Sequence, residues 1–284
     1  MSESAVRVFR LVVEYDGREF EGWQIQSGER FARTVQGVLL KAAESVTCQS
    51  ARLRGAGRTD AGVHAWGQVA SAQLQTDLAP KRLRAALNAR LPDDVTILDI
   101  EEAPANWDAL RAAQAKHYRY QIWNGRVNSP LRATRWHWAK EGLSVDAMRQ
   151  AAAVFVGHHD FASMQGAGSS VKTTDRTLTH FEVRGEAGGE IVLDVFGEGF
   201  LRHMVRNLAG TLIEIGRGRW PIERATEILA SCDRRQAGPT APAKGLALMR
   251  VWDDLCGDLP PAISSSPPEA RPGAVSVDGS PPVG

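Results

Sequence analysis

The sequence predicts an α+β fold, built on a mixed, largely antiparallel sheet with flanking helices. Three observations carry this. Residues 7–15 and 116–123 alternate side chains with the period of a half-buried strand. Other stretches, such as 35–46, repeat apolar residues at helical spacing. Neighbouring strands are often joined by short turns, as at the glycines 185, 188 and 189.

The elements follow in order. Phe9, Leu11, Val13 and Tyr15 share one face of the first strand, and Asp16-Gly17 ends it as a turn. Thr34 is placed to cap a helix that carries Val35, Val38, Leu39, Ala42, Ala43 and Val46 on one face. Strands at 51–54 and 67–74 flank a glycine-rich loop. Pro80 sits in the first turn of a helix continued by Leu83, Ala86 and Leu87. Val95 to Ile100 reads as a further strand. Beyond it, Tyr118, Tyr120 and Ile122 share one face of a strand, and His117, Arg119, Gln121 and Trp123 the other. Ser144 caps a helix bearing Val145, Met148, Ala152 and Phe155. Strands at 178–184 and 190–196 form a hairpin. A helix is expected near 201–215, then one opened by Pro221, then a last strand at 246–252. The domains expected are an N-terminal half, 1–105, that carries the glycine-rich loop, and a C-terminal half, 106–257. The Pro-, Ser- and Gly-rich tail 258–284 is expected to be disordered.

Composition bounds the function only broadly. Hydrophobic residues make up 43% and charged residues 24% of 284, the balance of a soluble globular protein. Cys48, Cys232 and Cys256 are far apart with no Cys-x-x-Cys pair, which argues for a reducing compartment. No apolar run reaches the roughly 18 to 20 residues that span a bilayer, and the first ten residues lack an apolar signal core. The expectation is a cytoplasmic protein with no membrane partner. The net charge is +1, and the tail holds Asp258, Glu269 and Asp278 against Arg271, so the rest carries 33 basic and 30 acidic residues. An RNA surface would therefore be a local basic patch.

Several segments could carry chemistry. Gly55, Gly57 and Gly62 surround Arg58, Thr59 and Asp60, so backbone can approach a ligand closely beside a carboxylate and a cation. An ordinary tight turn with an Asp-Arg ion pair fits the pattern equally well. Asp60 and His64, four apart, could be metal ligands on a helix, which Gly62 disfavours. Tyr118 fits either a core side chain or a ring stacked on a base. In residues 200–207, Met204 lines the apolar face of the helix with Leu208, Leu212 and Ile215, while Arg202 and Arg206 share another face.

Together these segments resemble the TruA-type tRNA pseudouridine synthases. The matching pieces are YDGREFEGWQIQ (15–26), TVQGVLLKA (34–42), GAGRTDAGVHAWGQVA (55–70), ALNARLPDDV (86–95), KHYRYQI (116–122), DFASM (160–164), GFLRHMVRN (199–207) and TAPAKGLAL (240–248). They run in order through residues 7–254, and GRTDAGVHA is the most specific. The resemblance implies the pseudouridine synthase fold, two α/β halves sharing a continuous sheet around a basic cleft. It implies isomerisation of uridine at positions 38, 39 and 40 of the tRNA anticodon stem-loop by a homodimer, with no cofactor and no metal. Asp60 matches the catalytic aspartate, which attacks C1′ or C6 or abstracts a ribose proton. Tyr118 matches the tyrosine packed on the target base, Arg206 the arginine paired with the carboxylate, and Arg58 a residue that contacts tRNA. Arg111, Lys172 and Arg202 are candidate tRNA contacts, and an arginine at 202 could equally face solvent or pair with a carboxylate. Two positions depart from the pattern. Leu110 stands where the family usually has an arginine, with Arg111 one place later, and Met164 replaces a common phenylalanine. The loop from Gly168 to Arg176 matches a tRNA-contacting loop only loosely.

Overall fold

The computed structural model describes residues 5–25, 33–168 and 171–258. The tail beyond Asp258, Gln26, Ser169 and Ser170 lie outside these residues. No helix among them is long and apolar enough to cross a membrane.

The first half contains β1 (Val6–Tyr15), α1 (Val35–Thr47), β2 (Arg52–Gly55), β3 (His64–Gln75), α2 (Pro80–Asn88) and β4 (Val95–Ala103). Alternation dictates β1: Phe9, Leu11, Val13 and Tyr15 are all buried. Thr34 Oγ1 accepts the Gly37 N–H at 3.2 Å and so caps α1. Pro80 opens α2 at its first turn, where a missing N–H costs nothing.

The second half contains α3 (Ala109–Ala112), β5 (Ala115–Trp123), β6 (His137–Trp138), α4 (Val145–Ala153), β7 (Gly157–Asp160), β8 (Asp175–Gly185), β9 (Glu190–Gly197), α5 (Met204–Gly216), α6 (Arg224–Ser231) and β10 (Leu246–Trp252). Ser144 Oγ accepts the Ala147 N–H at 3.3 Å at the start of α4. Phe155 falls just past the end of that helix and is buried. The hairpin between β8 and β9 uses Gly185 and Gly188, both at positive φ.

All ten strands form one sheet in the order β4-β1-β3-β10-β5-β9-β8-β7, with β2 added to β3 and β6 to β5. Only β3–β10 and β5–β6 run parallel; every other pair is antiparallel. The expected mixed, largely antiparallel sheet is what forms. The last strand, β10, lies between β3 and β5. Leu248 faces Ala65 of β3 on one side and Tyr118 of β5 on the other. At about 4.8 Å per strand, the loop leading into β3 is therefore about 10 Å from Tyr118.

α3, β6 and β7 have four residues or fewer and show no period, while β2, equally short, is marked by the glycine-rich loop that follows it. The helix expected at 201–215 starts at Met204, and the one expected at Pro221 starts at Arg224. His203 causes the first shift. It sits in the left-handed region at φ 60°, which an α-helix excludes. Arg202 is thus outside α5 and does not share a helical face with Arg206.

On the sheet face opposite Tyr118, Asp194 of β9 is buried among basic side chains. His117 Nε2 lies 2.6 Å from it, Arg119 Nε donates at 2.7 Å, and Arg184 also donates. Burial works against the charged carboxylate, but these bonds outweigh it and hold Asp194 well below the usual carboxylate range. Asp194→Asn should cost about 3 kcal/mol, because Arg119 and Arg184 lose a buried counter-charge and His117 a charged hydrogen-bond partner. Thermal melts should show a Tm drop of about 10 °C, and an unchanged Tm would mean the cluster is not structural.

Candidate active site

Residues 56–63 link β2 to β3 and carry Arg58, Thr59 and Asp60. Backbone bonds from the 17–23 segment clamp this loop. The Trp23 N–H donates to the Thr59 carbonyl at 3.1 Å, and the Gly62 N–H to the Phe20 carbonyl at 3.2 Å. Gly22 lies at φ 101°, and a Cβ there would sit 2.8 Å from the Thr59 carbonyl oxygen. Only glycine allows that approach without strain. Below the loop, Tyr15 and Thr59 share a hydroxyl hydrogen bond of 2.7 Å, and Gln68 Nε2 donates to the Gly57 carbonyl at 3.0 Å. The loop is a braced platform and not a free turn.

Asp60 is about a quarter exposed and faces α5. Arg206 Nη1 donates to its Oδ2 at 3.2 Å. The same guanidinium donates from Nε to the Ala241 carbonyl at 2.8 Å, and the Ala241 N–H returns a bond to the Arg206 carbonyl at 3.1 Å. The 238–241 segment therefore fixes the direction of the Arg206 fork. His203 Nε2 lies 3.5 Å from Asp60 Oδ2. Its left-handed backbone, a costly conformation for histidine, turns the ring toward the carboxylate. Burial pushes His203 below its ordinary range, Asp60 opposes this, and Arg206 and Arg202 reinforce it.

Tyr118 is buried beside this group, 5.0 Å edge-to-face from Phe200. Burial pushes its phenol up, and Tyr15 and Asp60 add to the shift. An aromatic wall, a carboxylate and a fixed guanidinium thus converge where β3, β5 and the start of α5 meet.

Other residues named from the sequence fall elsewhere. Arg58 is exposed and donates to Gln24 Oε1 at 3.2 Å, so the ordinary Asp60–Arg58 ion pair is replaced by Asp60–Arg206. Arg202 is exposed and donates to the Ala167 carbonyl at 2.9 Å. Arg111 and Lys172 are exposed. Leu110 is 43% exposed on α3, a solvated place for the side chain that departs from the family pattern. Met164 is fully buried. His64 does not join Asp60 on a helix. It begins β3, and its Nδ1 accepts the Gly17 N–H at 3.2 Å. His203, Tyr15, Gln68 and Phe200 carry no site signal in the sequence, because their roles depend on contacts between distant segments.

A family model described as tRNA pseudouridine synthase matches residues 11–110 and 151–252. The chain belongs to that family. Asp60 lies in the first matched stretch, Arg206 in the second, and Tyr118 between them. A tRNA pseudouridine synthase A of Pelobacter propionicus is 44% identical over 247 residues, covering 87% of this chain and 99% of the relative. That of Geotalea daltonii is 41% identical, covering 87% and 100%. The Myxococcus xanthus protein of the same name is 42% identical, covering 89% and 93%. The resemblance read from the ordered motifs is thus borne out at the level of family, together with the fold class.

Proposed function

We propose that this chain isomerises uridine to pseudouridine at positions 38, 39 and 40 of the tRNA anticodon stem-loop. The observation that carries this reading is the Asp60–Arg206 pair at 3.2 Å beside buried Tyr118, on a chain of this family. The reaction breaks the N1–C1′ bond, forms a C5–C1′ bond, moves the C5 proton to solvent and leaves N1 protonated. Its atoms balance with no oxidant or reductant, so no cofactor is called for.

Asp60 is the catalytic carboxylate, and Arg206 orients it and holds its charge. Tyr118 packs on the uracil once the nucleotide has left the stack. Arg58, Arg111, Lys172 and Arg202 meet tRNA around the cleft, where their exposure leaves them free for phosphate. Arg111, one place after Leu110, takes over the family's usual arginine contact. The halves 1–105 and 106–257 meet at the β3–β10 junction, and each supplies part of the site. The working form is a cytoplasmic homodimer with one tRNA spanning both subunits.

Incubation with tRNA tritiated at uracil C5 tests this, since rejoining through C5 expels that atom. Tritium release is expected, with product mapping to positions 38–40. No release from any tRNA would overturn the reading of activity, and product elsewhere would overturn the target positions.

A further inference from the structure

Lys116 lies on β5 two residues before Tyr118, so it shares that face of the sheet about 7 Å along the strand. A Cβ built on Gly57 would lie 3.3 Å from Lys116 Cε and 3.4 Å from Nζ. The ammonium therefore reaches the backbone of the loop that carries Asp60. Arg176 of β8 borders the same floor. Its Cδ and Nε lie 3.7 Å from a Cβ built on Gly199, next in sequence to Phe200, which touches Tyr118.

No carboxylate forms a salt bridge with either cation among the described residues, and Arg176 donates only to the Thr173 and Asp175 carbonyls. Arg10, Arg119 and Arg206 pair with Asp253, Asp194 and Asp60, while Arg234 and Lys244, which have no carboxylate, donate to neutral oxygens of Asn207, Thr240 and Ala133. Burial pushes Lys116 down to about 8, and Arg176 adds to the shift. Two cations gathered without an anion destabilise the free protein, and a bound anion relieves that cost.

We propose that Lys116 and Arg176 form an anion site that grips a phosphodiester flanking the uridine held between Tyr118 and Asp60. The site rests on the activity proposed above. It gives the flipped nucleotide a fixed sugar-phosphate position, which neither Tyr118 nor Arg206 supplies. Lysine suits this as a point charge, and the arginine fork adds direction.

The test uses an anticodon stem-loop RNA with one C5-tritiated target uridine, made with normal or uncharged methylphosphonate linkages on either side of it. For the wild-type protein, one methylphosphonate should lower kcat/KM about tenfold, the loss of one charge-assisted contact. Lys116→Met should lose about as much on normal RNA and lose little more on the neutral linkage. Its log kcat/KM should fall less steeply with log salt, by about 0.7 for one lost contact. Lys116→Arg should recover most of the loss, which a misfolded or merely repacked site would not allow. Losses from Lys116→Met and from both neutral linkages that multiply independently would overturn the site, as would a Lys116→Met protein with wild-type kcat/KM. Release by the wild type from normal RNA tests the activity itself. Only the ratio between linkages tests Lys116.

Discussion

Asp60→Asn should lower tritium release from tRNA by about 10⁴-fold or more, while tRNA affinity stays within about threefold of wild type. The substitution keeps the shape of the side chain and removes its charge and its nucleophilic oxygen. The loop should survive it, because backbone bonds from Trp23 and Gly62 and the Tyr15–Thr59 hydroxyl pair hold it, and none uses the Asp60 side chain. Affinity should survive because phosphate contacts around the cleft supply most of it. The contrast between single-turnover tritium release and filter binding separates chemistry from docking. Turnover within tenfold of wild type would show that another group does the chemistry.

Much of the sheet was legible because its signals are local. Alternation in β1 and β5, caps at Thr34 and Ser144, and Pro80 at the start of α2 each follow from a few adjacent residues. The composition of the 55–64 loop allowed a ligand site but left an ordinary turn equally open. What decided between them is not local. Gly22 lets the chain pass 2.8 Å from Thr59, and Arg206, 146 residues away in sequence, points at Asp60. The later start of α5, at Met204 and not 201, has the same kind of cause. The apolar period runs on through Leu201, while the turn at His203 answers to its neighbours in space, Asp60 among them. Arg202 and Arg206 are four apart, yet one leans on the Ala167 carbonyl and the other on Asp60 and the Ala241 carbonyl. The parallel contact of β10 with β3 joins strands far apart in sequence, and no local pattern encodes it.

Arg206→Met should lower kcat by about 10²- to 10³-fold, the scale of removing one preorganised charged donor from an active site. Methionine keeps the apolar stem that packs in α5 and loses both bonds of the fork. The Nε bond to the Ala241 carbonyl is the reason lysine should be a poor substitute. An ammonium cannot reach that carbonyl and Asp60 Oδ2 in the two directions a planar guanidinium fixes at 2.8 and 3.2 Å. Arg206→Lys should therefore recover less than about a tenth of the lost rate. The split between kcat and binding separates this from a tRNA contact. If Arg206 served mainly to hold phosphate, the methionine variant would lose affinity and salt dependence with kcat preserved. If it orients the carboxylate, kcat falls while the Kd for tRNA stays near that of wild type, because the guanidinium is already committed to Asp60 and to the 238–241 backbone before any RNA arrives.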